Sequence, residues 1–237
     1  MKRIGRVVLL LALVLTNIGT GFAAPVGAAS AAISSAVAGD SDDYFLAPRY
    51  ATDSASAGTA LSTGYKTDDG NIAWLPGDPV TGSLTTIAET LRADYGFAIG
   101  AVSTVQFSHA TPATFMSHNV SRNNYAAIAH EEIFTTTPEV LIGGGHPDFN
   151  GGDYKYVGGT ADWTALNTGG TAYSHVVTRT AGVDGGTALL DAAVTVNLAS
   201  GDKLVGVFGG MGSNFEYHLV SDTPGTPSVT RGSTENP

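Results

Sequence analysis

The chain has 237 residues, of which 43% are hydrophobic, 14% are charged and 31 are glycine, a composition that fits one globular α/β domain and excludes a disordered or fibrous protein. Its formal net charge of −10 argues against binding to nucleic acid or anionic lipid, because both would repel it. The chain contains no cysteine, so it forms no disulfide, and any metal ligand must come from His, Asp, Glu, Ser or Thr.

The first 23 residues have the three parts of a secretory signal peptide. Basic residues come first: Lys2, Arg3 and Arg6. An apolar stretch over residues 7–14 follows, and a small-residue cleavage site ends at Ala23, with cleavage after Ala29 or Ala31 as alternatives. The apolar stretch is too short to span a bilayer comfortably, so we expect a removed signal at residues 1–23 and no membrane anchor. This pattern predicts a periplasmic or extracellular protein.

The remainder of the chain is expected to hold one domain. Residues 24–43 are rich in Ala, Ser and Gly and predict a flexible lead-in. Residues 44–237 form the predicted globular part, although its tail from Ser221 onward has no core-forming pattern. We find no internal repeat.

The first predicted element is a helix that Ser54 opens and Gly64 ends, with Asp53 or Thr52 as its cap. A serine hydroxyl at a helix N-terminus lies where backbone N–H groups and the helix dipole favour an anion, such as a phosphate being transferred. An ordinary capped helix that packs through its small residues is the alternative interpretation of the same segment.

Helices and strands alternate in the following segment. An apolar stripe predicts a helix that Ser83 caps and Gly96 ends. Residues 97–105 predict a short strand that is apolar, and therefore buried, on both faces. Thr111 is expected to cap a further helix with Pro112 at its first position.

The second half of the chain gives weaker signals. Residues 125–134 predict a helix, and residues 139–142 and 203–208 predict strands. Residues 150–170 indicate a loop or insertion, and residues 171–200 alternate only weakly. The order of helices and strands predicts a parallel sheet with right-handed crossovers.

Three motifs resemble, in the same order, segments of the alkaline phosphatases. Residues 52–67 resemble the nucleophile segment of that family, and residues 109–113 with 117–122 resemble its magnesium-and-arginine segment. The glycines at 143–145, after an apolar run, are similar to its glycine-rich strand end. The resemblance implies an α/β fold with a parallel sheet and helices on both faces. It is incomplete at both ends, because the family's leading Asp-Gly-x-Gly strand and most of its zinc ligands have no counterpart here.

The resemblance also implies roles for five residues. Ser54 would be the nucleophile that forms a phosphoserine, and Asp53 would orient Arg122, whose guanidinium binds two phosphate oxygens. His109 and Thr111 match the magnesium side of the family's site. Because Mg²⁺ prefers oxygen ligands, we expect contact through water, or a softer ion, at His109. Zn²⁺ and Mg²⁺ are the implied metals of the complete family member.

Several of these positions also have structural interpretations. Arg122 could form a surface salt bridge near a helix end, and Thr111 could serve only as a helix cap. The glycines at 143–145 favour a strand-end turn over a phosphate cradle, because no Lys-Ser or Lys-Thr follows them. The remaining histidines lack paired ligand spacing and are expected in surface or core positions: His118, His130, His146, His175 and His218.

The leading hypothesis is a secreted hydrolase of phosphate monoesters, with a homodimer left open for the complete family member. We interpret the chain as an N-terminal portion of such an enzyme that is inactive alone. A secreted fragment that at most binds phosphate is the non-enzyme alternative. A phosphodiesterase or sulfatase of the same superfamily is the other alternative, although Ser54 lacks the Cys/Ser-x-Pro-x-Arg context of sulfatases.

Overall fold

The computed structural model describes residues 52–149, 151–180 and 183–209, which form an α/β fold with a parallel sheet. In chain order the strands are β1 (Gly100–Gln106), β2 (Val140–Gly144), β3 (His175–Thr178) and β4 (Leu204–Val207). Every pair of neighbouring strands is parallel, and the strands lie in the order β1-β2-β4-β3. The predicted α/β class and parallel sheet are confirmed.

Helices precede and connect these strands. The α-helices of the described segments are α1 (Ser54–Thr63), α2 (Ile87–Tyr95), α3 (Ala110–Ala113), α4 (Tyr125–Glu131), α5 (Thr160–Asn167) and α6 (Gly185–Thr195). A π-helix covers Glu132–Thr136, and 3₁₀ turns cover Pro147–Phe149, Lys155–Val157 and Leu198–Ser200. Within these segments, no helix combines the length and the apolar character that crossing a membrane requires.

The core lies around the two central strands. Leu141 of β2 pairs with Val205 of β4, and both side chains are fully buried. Strand β1 lies at the edge of the sheet of described residues, begins later than predicted, and exposes Val102 and Thr104. The prediction that this strand is buried on both faces was therefore wrong, because Val102 and Thr104 point to the same face of the strand and the described residues leave that face uncovered.

Helix α2 begins later than its apolar stripe predicts. Thr86 is its N-cap, and Glu89 closes a capping box: the Thr86 N–H donates to the Glu89 carboxylate at 2.8 Å. Ser83 instead pairs with Trp74 in an antiparallel bridge, so its prediction as the cap was wrong. Of the two candidate hydroxyl residues, only Thr86 has a Glu three positions further on. Gly96, with a φ of 66°, ends the helix as predicted.

Residues 150–170 were predicted as a loop or insertion, but they contain helix α5, so the loop interpretation was wrong for Thr160–Asn167. The helix buries Leu166, and it buries Asp162, which accepts a hydrogen bond from His130 Nδ1 at 2.8 Å. Helix α6, capped by Asp184, was also missed in a segment that alternates only weakly. Tertiary contacts, rather than a periodic apolar pattern, hold such helices in place.

Predictions for the remaining elements were more accurate. The helix predicted over residues 125–134 is confirmed as α4, although it continues as the π-helix. The strands predicted over residues 139–142 and 203–208 are confirmed as β2 and β4. The signal at residues 1–23, the lead-in at residues 24–43, the tail from Ser221 and His218 lie outside the described residues.

Candidate active site

The N-terminus of α1 carries Asp53 and Ser54. Asp53 caps the helix: its Oδ1 accepts hydrogen bonds from the Ser56 N–H at 2.8 Å and from the Ser56 hydroxyl at 2.7 Å. Ser54 is the first residue of the helix and is half-buried. In the described part of the chain, the structure shows no hydrogen-bond partner for the Ser54 hydroxyl. The hydroxyl therefore lies beside the N–H groups of the first turn and is available to a ligand.

Small residues let α1 pack closely against its neighbours. A Cβ built at Gly58 would lie 2.4 Å from Thr114 Oγ1, so only glycine permits this approach. The Thr59 hydroxyl donates to the Asn71 carbonyl at 2.9 Å and accepts from the Ala73 N–H at 2.8 Å. These contacts hold the segments around α3 and residues 71–73 against α1.

Arg122 contacts Asp53 although the two residues are 69 positions apart in the chain. Its Nη1 donates to Asp53 Oδ2 at 2.8 Å, and its backbone N–H donates to the Gly70 carbonyl at 2.7 Å. Burial raises the pKa of Asp53, but the hydrogen bonds from Ser56, Arg122 and Gly70 outweigh it and lower this pKa to about 2. Asp53 is therefore ionised at neutral pH, and the expected contact between Asp53 and Arg122 is present.

His109 holds the other side of the guanidinium. It follows the carboxyl end of β1, and its Nε2 lies 3.2 Å from Arg122 Nη2. Because a guanidinium can only donate, Nε2 accepts this bond and the ring proton is assigned to Nδ1. Burial and the Arg122 charge both lower the pKa of His109, which favours the neutral ring. The buried Nδ1 has no hydrogen-bond partner among the described residues.

Thr111 lies inside α3 and is half-buried, while His109 is the residue at the N-cap position. The prediction of Thr111 as the cap was therefore wrong. Its carbonyl accepts a hydrogen bond from the Thr114 hydroxyl at 2.9 Å. The structure thus links Asp53, Arg122 and His109 by direct contacts. Thr111 lies two residues after His109, in the short helix α3.

Asp69 is a further acidic residue at this site, and sequence reasoning missed it. Its carboxyl accepts a hydrogen bond from the Asp53 backbone N–H and also contacts the Asp53 carboxyl. Burial and the Asp53 charge raise the pKa of Asp69, which is nevertheless exposed to solvent. The only local signal is the Asp68-Asp69-Gly70 sequence, which indicates a turn and gives no hint of contact with Asp53.

The family profile described as "Alkaline phosphatase" matches residues 32–229, most of the chain and all of this site. The chain belongs to the alkaline phosphatase family. The resemblance of the three motifs to this family is therefore confirmed.

Individual members of the family show the same likeness. Alkaline phosphatase 3 of Bacillus subtilis (strain 168) is 38% identical over 111 residues, which cover 45% of this chain and 23% of that protein. Alkaline phosphatase of Escherichia coli (strain K12) is 33% identical over 190 residues, which cover 80% of this chain and 34% of that protein. The chain therefore spans well under half the length of these relatives.

Solved structures of alkaline phosphatases are also similar. The cold-active enzyme of the psychrophile Shewanella sp. matches with a TM-score of 0.45 and 28% identity, over 68% of this chain and 42% of that one. A His 135 Glu mutant of the TAB5 alkaline phosphatase, with Mg bound in its M3 site, matches with a TM-score of 0.43 and 24% identity, over 66% of this chain and 38% of that one.

The described residues do not assemble a complete metal site. They contain no group of three or more His, Cys, Asp or Glu side chains that could hold an ion. His109 and Thr111, two positions apart, are the two candidate ligands, but while Nε2 of His109 accepts from Arg122 its buried Nδ1 carries the ring proton, so His109 could bind an ion only after this hydrogen bond is released. Zn²⁺ and Mg²⁺ take about four to six ligands, so these two do not fit either ion as a complete set.

The glycine run contributes packing rather than a phosphate cradle. Gly143 and Gly144 lie within β2, where a Cβ at Gly143 would lie 2.6 Å from the Phe107 backbone nitrogen. Gly145 follows the strand with a φ of 114°, a conformation that favours glycine. The run therefore lets the end of β2 approach the segment after β1.

His118 is held between two carboxylates. Its Nδ1 lies 2.8 Å from Glu131 Oε1, and its Nε2 lies 3.3 Å from Glu89 Oε2. Burial lowers the pKa of His118, but the two glutamates outweigh it and raise this pKa above the usual value. These contacts tie the start of α2 to α4, which is a structural role. The other described histidines also contact protein groups: His130, His146 and His175.

Proposed function

We propose that this chain carries the nucleophile and the phosphate-binding arginine of a secreted phosphate monoester hydrolase. The observation that carries the proposal is the ion pair between Arg122 Nη1 and Asp53 Oδ2, 2.8 Å apart, beside Ser54 at the start of α1. Membership of the alkaline phosphatase family supports the same function. His109, at the N-cap of α3, and the turn at Gly70 hold the arginine in place from two sides.

Each residue has a defined task in the proposed reaction. The Ser54 Oγ attacks phosphorus, so that a new O–P bond forms while the bond to the ester oxygen breaks and the alcohol leaves. Water then displaces Ser54 from the phosphoserine and releases inorganic phosphate. Arg122 binds two non-bridging oxygens, while Asp53 and His109 keep the guanidinium oriented. The N–H groups of the first turn of α1 face the developing negative charge.

The same charges show what the site still lacks. The ionised Asp53 and the second carboxyl group of Asp69 lie beside the single positive charge of Arg122, and the lowered pKa of His109 favours its neutral ring. A phosphate dianion needs an electropositive pocket, and the described residues supply neither the charge nor a complete metal-ligand set. We therefore propose that hydrolysis requires Zn²⁺ and Mg²⁺ with further ligands, and that the 237-residue chain alone is inactive.

A chimera tests this proposal. Residues 52–149 replace the corresponding segment of the Escherichia coli alkaline phosphatase, and hydrolysis of p-nitrophenyl phosphate is measured at alkaline pH. Ser54→Ala is expected to lower turnover by orders of magnitude, because the covalent route is lost. Arg122→Ala is expected to lower kcat/KM by about 30- to 150-fold, which corresponds to about 2–3 kcal/mol. Ser83→Ala, an exposed serine outside α1, is the matched control and should change little.

The outcomes separate the candidate functions. Loss of activity only with Ser54→Ala would contradict the assignment of Arg122. An active chimera that tolerates both substitutions would contradict the site as a whole. A chimera that cleaves phosphodiesters or sulfate esters faster than phosphate monoesters would favour the other branches of the superfamily. An inactive chimera that folds and binds phosphate through Arg122 would favour a binding fragment.

A further inference from the structure

We propose that Asp69 is a specificity-determining residue of the Ser54 site, whose carboxylate lowers the affinity of Arg122 for inorganic phosphate and similar dianions. This inference rests on the proposed binding of phosphate by Arg122. In a phosphatase, weaker binding of phosphate would speed release of the phosphate product. It would not by itself slow the chemical step, because it weakens the binding of substrate and product alike.

The backbone places Asp69 against the arginine and its acid partner. Gly70, with a φ of 88°, accepts a hydrogen bond at 2.7 Å from the Arg122 N–H, which fixes the turn against Arg122. The Gly70 N–H in turn donates to the Asp53 carboxyl. Within this turn, the Asp69 carboxyl accepts from the Asp53 N–H and contacts the Asp53 carboxyl. The two carboxyl groups and the guanidinium therefore form one cluster.

The charges in this cluster are unequal. The Asp53 carboxylate is matched by Arg122 at 2.8 Å, with His109 neutral on the far side of the guanidinium. The negative charge of Asp69 is added to this neutral pair. Burial and the Asp53 charge raise the pKa of Asp69, as expected for a carboxyl next to a second carboxylate. With Asp69 ionised, the cluster carries a net negative charge.

Asp69 is also the most exposed member of this cluster. Its side chain is exposed, whereas Asp53 and Arg122 are partly buried. A phosphate dianion on the outer face of the guanidinium would be repelled by this carboxylate at a distance of several ångströms. At an effective dielectric constant of about 20, reduced further by solvent screening, such a repulsion weakens binding by about five- to tenfold.

Binding of inorganic phosphate to the full-length chain tests the inference, with ³¹P NMR titration as the measurement. Asp69→Asn keeps an oxygen that can accept from the Asp53 N–H but removes the charge. It is expected to bind phosphate about five- to tenfold more tightly than wild type at low salt. The gain should shrink toward about twofold at about 0.3 M salt, because screening weakens charge effects and leaves uncharged contacts unchanged.

Three further variants complete the design. Asp191→Asn removes the same charge from the exposed surface of α6, which packs on β3 and β4, and should bind like wild type. Arg122→Ala should abolish binding. Asp69→Ala loses both the charge and the acceptor for the Asp53 N–H, so it should gain less affinity than Asp69→Asn. Urea unfolding of each variant shows that the fold is retained.

The phosphate affinities of these variants distinguish failure of the Asp69 inference from failure of phosphate binding by Arg122. If Arg122→Ala loses binding while Asp69→Asn equals wild type, the inference about Asp69 is overturned and phosphate binding by Arg122 stands. A gain with Asp69→Asn that does not depend on salt also overturns it, because a structural effect is then responsible. If wild type, Asp69→Asn and Arg122→Ala bind equally, both proposals are overturned. If none of them binds at millimolar phosphate, the inference about Asp69 is overturned, because removing its charge then restores no affinity. A salt-sensitive gain that Asp191→Asn does not share supports the inference.

Discussion

Gly58 in α1 lies directly against the side chain of Thr114. A Cβ at Gly58 would lie 2.4 Å from Thr114 Oγ1 and 3.1 Å from its Cγ2. Helix α1 carries Ser54, and Thr114 follows the short helix that begins after His109. The contact therefore sets the distance between the two parts of the chain that form the candidate site.

Replacement of this glycine tests the contact. Gly58→Ala gains about 1 kcal/mol of helix propensity, but the overpacking costs about 1–3 kcal/mol, so we expect a net loss of stability. The measurement is the free energy of unfolding from urea titration. The double variant Gly58→Ala/Thr114→Ala should lose less than the sum of the single variants, because the clashing side chain is gone. Strictly additive losses would contradict the proposed contact.

Local signals predicted α1 well, and the site only in part. Asp53 as cap, Ser54 as first residue and Gly64 as end all follow from residues adjacent in the chain. Thr111 was mistaken for a cap because hydroxyl residues before an apolar segment are ambiguous without the backbone path. The ion pair of Asp53 with Arg122 joins positions 69 apart, so it came from the family resemblance and from no local pattern.

Other features were not predictable because tertiary packing determines them. Helix α5 has no strong apolar face, and it is held by burial of Leu166 and by the bond from His130 to Asp162. Glu132 is buried at the start of the π-helix, and the sequence carries no signal for either its burial or the change from α- to π-helix after Glu131. The sequence around Asp69 predicts only a turn, and the contact of Asp69 with Asp53 is visible only in the folded structure.

Glu132 should limit the stability of the domain at high pH. It is fully buried at the start of the π-helix, and neither carboxyl oxygen has a hydrogen-bond partner among the described residues. Burial, with a further contribution from Glu131, raises its pKa well above the usual 4.5. The unfolded chain therefore releases this proton at lower pH than the folded one, and stability falls by about 1.4 kcal/mol per pH unit above about pH 4.5, until the folded-state pKa is reached.

The isosteric variant Glu132→Gln has no such proton to release. Compared with wild type, it should gain stability as the pH rises from about 5 to 9, which urea unfolding at several pH values measures. Asp94→Asn on the surface of α2 is the charge control and should follow the wild-type profile. A constant difference between Glu132→Gln and wild type across this range would mean that Glu132 is ionised in the folded protein.

His118 should show the opposite dependence. Glu131 and Glu89 outweigh burial and raise its pKa above 6.5 in the folded protein. Its ionic contribution is therefore fully present below the unfolded pKa of about 6.5 and is lost as the pH rises through the folded pKa. His118→Gln should destabilise the protein more at pH 5.5 than at pH 9, as measured by urea unfolding. Equal losses at both pH values would show that the hydrogen bonds, rather than the charge, carry the contribution.

Secretion can be tested with the first residues alone. Fusion of residues 1–35 to a reporter enzyme should export it and yield a shortened product, because this segment has the basic, apolar and small-residue parts of a signal. Cell fractionation and mass spectrometry of the product measure export and the cleavage position. A fusion with Lys2, Arg3 and Arg6 replaced by Glu is the control and should be exported less. A full-length reporter in the cytoplasm would contradict the secretory interpretation.

The purified 237-residue chain should not act as a phosphatase, although it carries Ser54 and Arg122. The described residues offer His109 and Thr111 as candidate metal ligands but no group of three acidic or histidine side chains for an ion. The nearby Asp69 also adds negative charge where a phosphate would bind. We therefore expect hydrolysis of p-nitrophenyl phosphate, with Zn²⁺ and Mg²⁺ supplied, to be no faster than that of the Ser54→Ala variant. Zinc-dependent turnover that Ser54→Ala abolishes would contradict this expectation and would mean that residues outside the described segments supply the missing ligands.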